Sequence, residues 1–248
     1  MLHLGLLRQP RRKQPDAPTP EWSERFALLA TSARDARLRA YYAAGAIHGD
    51  TPLADAPLMA MDVETTGLDP QHDGIVSIGL VPMTLEHIRA SASRHWIVKP
   101  RVPLAEESVA LHGITDSQIA RAPDLIDILE EFLEAIAGHV LVVHCRAIER
   151  KFLDAALIER IAEPIEFPVI DTMELEARLH RGKRPGLFAR LAGHRQRSIR
   201  LADSRARYHL PRYRPHHALT DALASAELLQ AQVAHRFSPQ TPVRELWK

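Results

Sequence analysis

The sequence predicts an α/β layered domain with a mixed β-sheet flanked by helices, preceded by a short N-terminal helical extension. Two observations carry this. Apolar runs at Leu58–Met61, Ile75–Val81 and His95–Val98 follow one another with only polar turn residues such as Asp69-Pro70 between them, which implies antiparallel pairing. After them, short apolar runs at Val140–His144 and Pro168–Ile170 alternate with amphipathic helical patterns, as βα units do. A purely parallel, doubly wound sheet would lack the first half of this pattern.

In chain order, Met1–Leu7 is apolar but short, and Arg8, Arg11, Arg12 and Lys13 follow it instead of preceding it, so no export signal is read. Gln9–Pro20 mixes four prolines with basic residues and reads as a flexible arm. From Glu21 to Ala44 the pattern turns helical. Trp22, Phe26 and Leu29 share one face, Leu38, Tyr41 and Tyr42 form a second cluster, and Ser32 with Asp35 resembles a capping box that splits the stretch into two short helices. Their expected role is packing on the following domain, with docking of an unknown protein partner as the alternative. Gly45–Pro57 is the connector. Residues 1–57 thus form the extension, 58–236 the main domain and 237–248 a short tail. Within the main domain, Pro123–Gly138 carries Leu125, Ile128, Leu129, Phe132, Leu133 and Ile136 on a helical stripe, with Gly138 as its cap. Ile148–Leu157, Thr172–Leu179 and Ala218–Ala234 are the remaining helices.

Hydrophobic residues at 46% and charged residues at 25% describe an ordinary soluble chain, and no apolar run approaches a membrane span. A membrane partner is excluded on that reading. The single cysteine, Cys145, rules out an intrachain disulfide and fits a reducing, cytoplasmic compartment. Net charge is +1, but Arg181–Arg214 is strongly basic and holds Asp203 as its one acid. With Tyr208 and Tyr213 inside it, this block fits a phosphate-rich partner that arginine forks grip and rings stack on. The competing reading is a solvated face paired with the acidic stretch Glu106–Glu134.

The candidate chemistry begins at Asp62-Val63-Glu64-Thr65-Thr66-Gly67-Leu68. A strand has a side-chain period of two, so Asp62 and Glu64 share a face while Val63 points into the core. Two like charges side by side call for a cation or protons, unless the strand merely ends in a solvated acidic turn. Gly67 permits a tight turn and close approach of a ligand to the backbone. Asp221 on the last helix can join them. His216 precedes it by five residues and would lie about 140° away on a continuous helix, which places it on the preceding loop. Glu149 opens the helix after Val140–His144, and Asp171 ends the following strand.

These residues resemble the DEDDh 3′–5′ exonucleases. The first stretch is similar to that family's Asp-x-Glu-Thr-Thr-Gly element, and His216-His217-Ala218-Leu219-Thr220-Asp221 to its His-x4-Asp element. Leu111-His112-Gly113-Ile114-Thr115 and Asp171-Thr172 are similar to intervening landmarks. The resemblance covers roughly Leu58 to Val233 and implies a ribonuclease H-like fold. One motif departs: where the family reads His-Asn-Ala-x-Phe-Asp, this chain has His144-Cys145-Arg146-Ala147-Ile148-Glu149, with glutamate in place of aspartate. A carboxylate one methylene longer makes either a working variant or a weakened enzyme.

The resemblance implies Asp62, Glu64, Glu149 and Asp221 as metal ligands. An all-oxygen, carboxylate-rich site suits Mg2+ or Mn2+ and not zinc. Two ions are expected, with Asp62 bridging, Glu64 and Asp221 completing one and Glu149 supporting the other. His216 would take a proton from the attacking water, as an imidazole with a solution pKa of about 6.5 can, and His217 is its rival. Thr65, Thr66, Gly67, Leu68 and His112 would receive the terminal nucleotide. The implied activity is release of nucleoside 5′-monophosphates from single-stranded 3′ ends, DNA favoured. The alternatives are a catalytically weakened nucleic-acid-binding module and an RNA-directed exoribonuclease of the same fold.

Overall fold

The computed structural model describes residues 20–104, 109, 112–181 and 197–248. Its organising element is a five-stranded sheet in the order β3-β2-β1-β4-β5. Strand β1 (Leu58–Thr65) is antiparallel to β2 (Ile75–Met83), and β2 to β3 (Arg94–Ile97). Strands β4 (Val140–Val143) and β5 (Val169–Asp171) continue the sheet in parallel with β1. The mixed sheet is the one expected, because turns can join only antiparallel neighbours while parallel returns need helical crossovers.

Two helices precede the sheet, α1 (Trp22–Ser32) and α2 (Ala36–Ala43). The break between them is not the expected Ser32 cap. Asp35 caps α2 by accepting the Arg37 N–H, Glu163 accepts the Arg34 and Asp35 N–H groups, and the Ser32 hydroxyl turns back to the Leu29 carbonyl. Trp22, Phe26, Leu38, Tyr41 and Tyr42 are buried in the same core as the sheet. The apolar faces of the extension are therefore consumed by packing. The proline-rich arm, apart from Pro20, lies outside the described residues.

Helix α3 (Asp116–Arg121) was not expected. It precedes α4 (Leu125–Ile136), which starts after Pro123 because Asp124 caps it with reciprocal support from Asp127. Gly138, at φ 71°, follows its end. Helix α5 (Arg146–Ile161) is longer than Ile148–Leu157, since Asp171 on β5 accepts the Cys145 and Arg146 N–H groups and so caps α5 through space. Helix α6 (Thr172–Arg181) follows β5, and α7 (Leu201–Arg207) lies inside the basic block.

Helix α8 (Ala218–Arg236) crosses β1 and β2. A Cβ on Gly79 would lie 2.5 Å from the Ala218 carbonyl carbon and the Leu219 nitrogen, so only glycine lets the start of α8 settle there. The segment 237–248, expected as a tail, folds onto the sheet. Val243, Leu246 and Trp247 are buried, and Lys248 exchanges backbone hydrogen bonds with Val169 on β5. This covers part of an otherwise open strand edge. Among the described residues no helix is long and apolar enough to cross a membrane.

Candidate active site

The pleat of β1 sets Asp62 and Glu64 on one face, opposite Gly79 and Ser77 of β2, and an irregularity in the pairing between Glu64 and Thr65 ends the ladder. Because Gly79 admits α8, Asp221 in that helix's first turn reaches the same point. One carboxylate oxygen each from Asp62, Glu64 and Asp221 lies within 4.8 Å of the others. Glu149, in the first turn of α5, is 2% exposed, and its Oε2 has no hydrogen-bond partner. It stands outside the triad, but its charge acts on Asp62.

Electrostatically the cluster is frustrated. Burial, then the charges of Glu64, Asp221 and Glu149, raise the Asp62 pKa well above the carboxylate range. Burial, then Asp221, push Glu64 up to about 8. Glu149 is raised by burial above all, and Asp221 is raised by burial against the opposing His216 N–H bond. Carboxylates so placed hold protons until a cation supplies the missing charge. The all-oxygen donor set and the unpartnered Glu149 oxygen fit a hard divalent cation.

The two adjacent histidines face different neighbours. His216 adopts φ 67°, donates its backbone N–H to Asp221 Oδ2 at 2.8 Å, and influences the buried His112 ring, whose pKa is lowered by burial and then by His216. The His217 ring instead stacks on His95 of β3 at 4.9 Å between centroids, and His95 Nε2 meets Ser77 Oγ at 2.7 Å. His216 thus influences His112, while Asp221 feels both histidines, His216 first and His217 after it.

The turn after β1 is held internally. Thr65 Oγ1 donates to the Gly67 carbonyl at 2.6 Å, Thr66 Oγ1 donates to Asp73 Oδ1 at 3.0 Å, and the Thr66 N–H donates to the Gly74 carbonyl at 2.9 Å. Asp73 Oδ2 also accepts the Asp69 N–H, and a Cβ on Gly67 would collide with this carboxylate. The Gly67 signal thus reports close approach by Asp73, a residue sequence patterning does not single out. Leu68 is half-buried at the turn.

A family model for exonuclease domains matches residues 59–229, which includes every carboxylate of the cluster and His216. The chain belongs to the exonuclease family. Its motifs resemble the DEDDh pattern at Asp62, Glu64, His216 and Asp221 and depart from it at Glu149. The chain is 33% identical over 128 residues to a PolC-type DNA polymerase III of Bacillus subtilis, a match covering 50% of this chain and 8% of that protein. It is 31% identical over 185 residues to a DNA polymerase III subunit epsilon-like protein of Rhodobacter capsulatus, covering 72% of this chain and 25% of that one. The chain thus spans a quarter or less of these relatives. The nuclease domain of 3′hExo, a DEDDh family member bound to rAMP, superposes with a TM-score of 0.59 at 17% identity, covering 73% of this chain and 92% of that one, and so shares the fold.

Within this exonuclease-family domain, Asp171 is not part of the acidic cluster. It accepts the N–H groups of Cys145, Arg146, Met173 and Glu174 and pairs with Arg146 at 3.5 Å. His144 is buried between Thr172 Oγ1 and the Ile199 carbonyl, and burial lowers its pKa to about 4. Burial pushes the Cys145 thiol up to about 12, which leaves it an inert packing group.

The basic block needs correction on both readings. Arg205 pairs with Glu227 and Arg207 with Glu176, while Tyr213 and Tyr208 donate to those same carboxylates. These four side chains are tied inside the fold, and their partners are not in Glu106–Glu134. Arg197, Arg200, Arg212 and Arg214 are exposed. Residues 182–196 of the block lie outside the described residues.

Proposed function

We propose that this chain is a metal-dependent 3′–5′ exonuclease that removes nucleoside 5′-monophosphates from single-stranded 3′ ends, with DNA as the favoured strand. The observation that carries the reading is the convergence of Asp62, Glu64 and Asp221 oxygens within 4.8 Å, near the buried Glu149, whose Oε2 has no hydrogen-bond partner. Asp62, Glu64, Asp221 and Glu149 would hold Mg2+ or Mn2+, two ions in the proposed arrangement. Such cations, when bound, polarise a phosphodiester and offset charge on the attacking and leaving oxygens.

The chain's own groups do the rest. His216 takes the proton of the attacking water, whose oxygen forms a bond to phosphorus as the bond to the 3′ oxygen breaks and solvent protonates the leaving alkoxide. The His216 N–H to Asp221 bond ties the base to the cluster. The turn Thr65–Leu68 and the buried His112 ring line the space for the terminal nucleotide. Because the Thr66 N–H and both threonine hydroxyls already have partners, the turn contributes shape more than free donors. DNA is favoured because both named relatives are DNA polymerase III-type proteins. The exposed Arg197, Arg200, Arg212 and Arg214 are the proposed backbone contacts. The lone Cys145 is consistent with the cytoplasm as the proposed compartment. A protein partner on α1 and α2 would have to use their outer surface, where Leu28 is 62% exposed.

Product release from a 3′-labelled single-stranded DNA oligonucleotide and its RNA counterpart, with Mg2+, Mn2+ or chelator, tests the reading. Metal-dependent mononucleotide release that is lost in Asp62→Ala is expected, faster on DNA. Faster release from RNA would make it an exoribonuclease. Binding without cleavage under either metal would make it a binding module.

A further inference from the structure

The turn that carries His216 has an unfavourable backbone, yet it lies between two fixed points. A non-glycine residue keeps the left-handed conformation of His216, φ 67°, only where its surroundings enforce it. On the C-terminal side the enforcement is the Asp221 bond and the start of α8. On the N-terminal side it is a buried arginine. Arg205, in the last turn of α7, is 3% exposed. Its guanidinium donates to the Ala224 carbonyl of α8 at 2.6 Å, to the Pro211 carbonyl at 2.9 Å and to Glu227 Oε2 at 2.6 Å. Tyr213 closes the arrangement. Its hydroxyl donates to Glu227 Oε1 at 2.7 Å, and the guanidinium carbon lies 4.5 Å from its ring centroid. Glu227 thus accepts from two residues of the preceding segment while standing on the same helix as Asp221.

We infer that Arg205, Glu227 and Tyr213 form a clamp that positions His216 against Asp221, and that they are positioning residues for proton removal and not nucleic-acid contacts. The inference rests on the reading of His216 as the base. An exposed ion pair would be worth little. Here the cation is buried, three acceptors converge on it, and the Pro211 and Glu227 contacts tie the loop to the helix that bears Asp221. With Pro211 and Tyr213 anchored, only Arg214 and Pro215 separate the clamp from His216, and the proline ring fixes one of their dihedrals. Without the clamp the loop still connects but samples other positions, and a displacement of about 1 Å suffices for a hundredfold loss of rate.

A double-mutant cycle tests this. Tyr213→Phe removes one hydroxyl and no charge, and Glu227→Gln keeps the shape but leaves Arg205 a neutral partner. Single-turnover mononucleotide release and oligonucleotide Kd are measured for each change, alone and with His216→Ala, with thermal unfolding followed in parallel. The rate falls about tenfold for Tyr213→Phe and about a hundredfold for Glu227→Gln, Kd holds, and neither lowers the residual rate of His216→Ala further. Equal falls in both backgrounds, a loss of affinity in place of rate, or a lower unfolding temperature with an unchanged rate would each overturn the clamp. Wild-type turnover by His216→Ala alone would overturn the base assignment and the clamp with it, and is seen before any clamp residue is changed.

Discussion

Two groups of carboxylates lie at strand ends of the same sheet and meet opposite treatment. At the end of β5, Asp171 is surrounded by four backbone N–H groups and Arg146. Farther along, burial works against Glu176, but bonds from Gln232, Arg207 and Tyr208 outweigh it and hold its pKa below the ordinary value. On β1, Asp62 and Glu64 meet Asp221 with Glu149 close by; burial drives all four pKa values upward, and repulsion from the other cluster carboxylates adds to it at Asp62 and Glu64. The chain pairs its structural carboxylates with arginines, Arg146 at Asp171 and Arg207 at Glu176, whereas among the described residues no arginine pairs with Asp62, Glu64, Asp221 or Glu149. A buried charge without a partner is destabilising by several kcal/mol. A fold that keeps such a cluster beside well-satisfied ones is organised to receive a cation from outside.

The largest expected effects come from exchanging the two kinds of carboxylate for amides. Asp62→Asn is expected to lower turnover by about a thousandfold, as loss of a metal ligand should, while raising the unfolding temperature in chelator because the amide needs no proton to be buried where the carboxylate does. Asp171→Asn is expected to do the reverse. It loses about 3 kcal/mol of stability by stripping the charge from a satisfied buried network, yet retains metal-dependent turnover in the folded fraction. Parallel unfolding and single-turnover experiments check both. Next is the departure from the family pattern: Glu149→Gln should lose most activity and Glu149→Asp should keep a substantial part. Equal rates for Glu149→Gln and the unaltered protein would remove Glu149 from the site.

Gly79→Ala probes the approach that assembles the cluster. Its methyl would meet the α8 backbone, and an overpacking penalty of about 1–3 kcal/mol with weaker metal binding is expected from denaturant titration and calorimetry. A further effect is on pH. Glu64 is raised from 4.5 to about 8, so the folded protein binds more protons than the unfolded chain between those values. Stability from this group is complete below its unfolded pKa and is lost as pH rises towards 8. In chelator the unfolding temperature should decline over that window, and Mg2+ should flatten the decline.

Much of the cluster is legible in the sequence, for a definite reason. The period-two placement of Asp62 and Glu64 and the apolar stripe beneath Asp221 are local patterns, and local patterns survive folding. What is not legible depends on partners distant in the chain. Helix α5 begins where Asp171 caps it, and Arg205 is neutralised by Glu227, so a basic run that reads as a phosphate grip is partly internal wiring. Short α3 and α7 lack enough turns to show a period. Gly79 carries its message only once α8 lies across it.

The most direct test of the central claim is calorimetric titration of Mn2+ into the metal-free protein near pH 6.5, in buffers of different ionisation enthalpy. If the cluster holds protons in place of a cation, metal binding must release them, and both the heat and the release should disappear in Asp62→Asn and persist in Asp171→Asn. Mn2+ binding with no proton release, or binding undiminished in Asp62→Asn, would contradict the account.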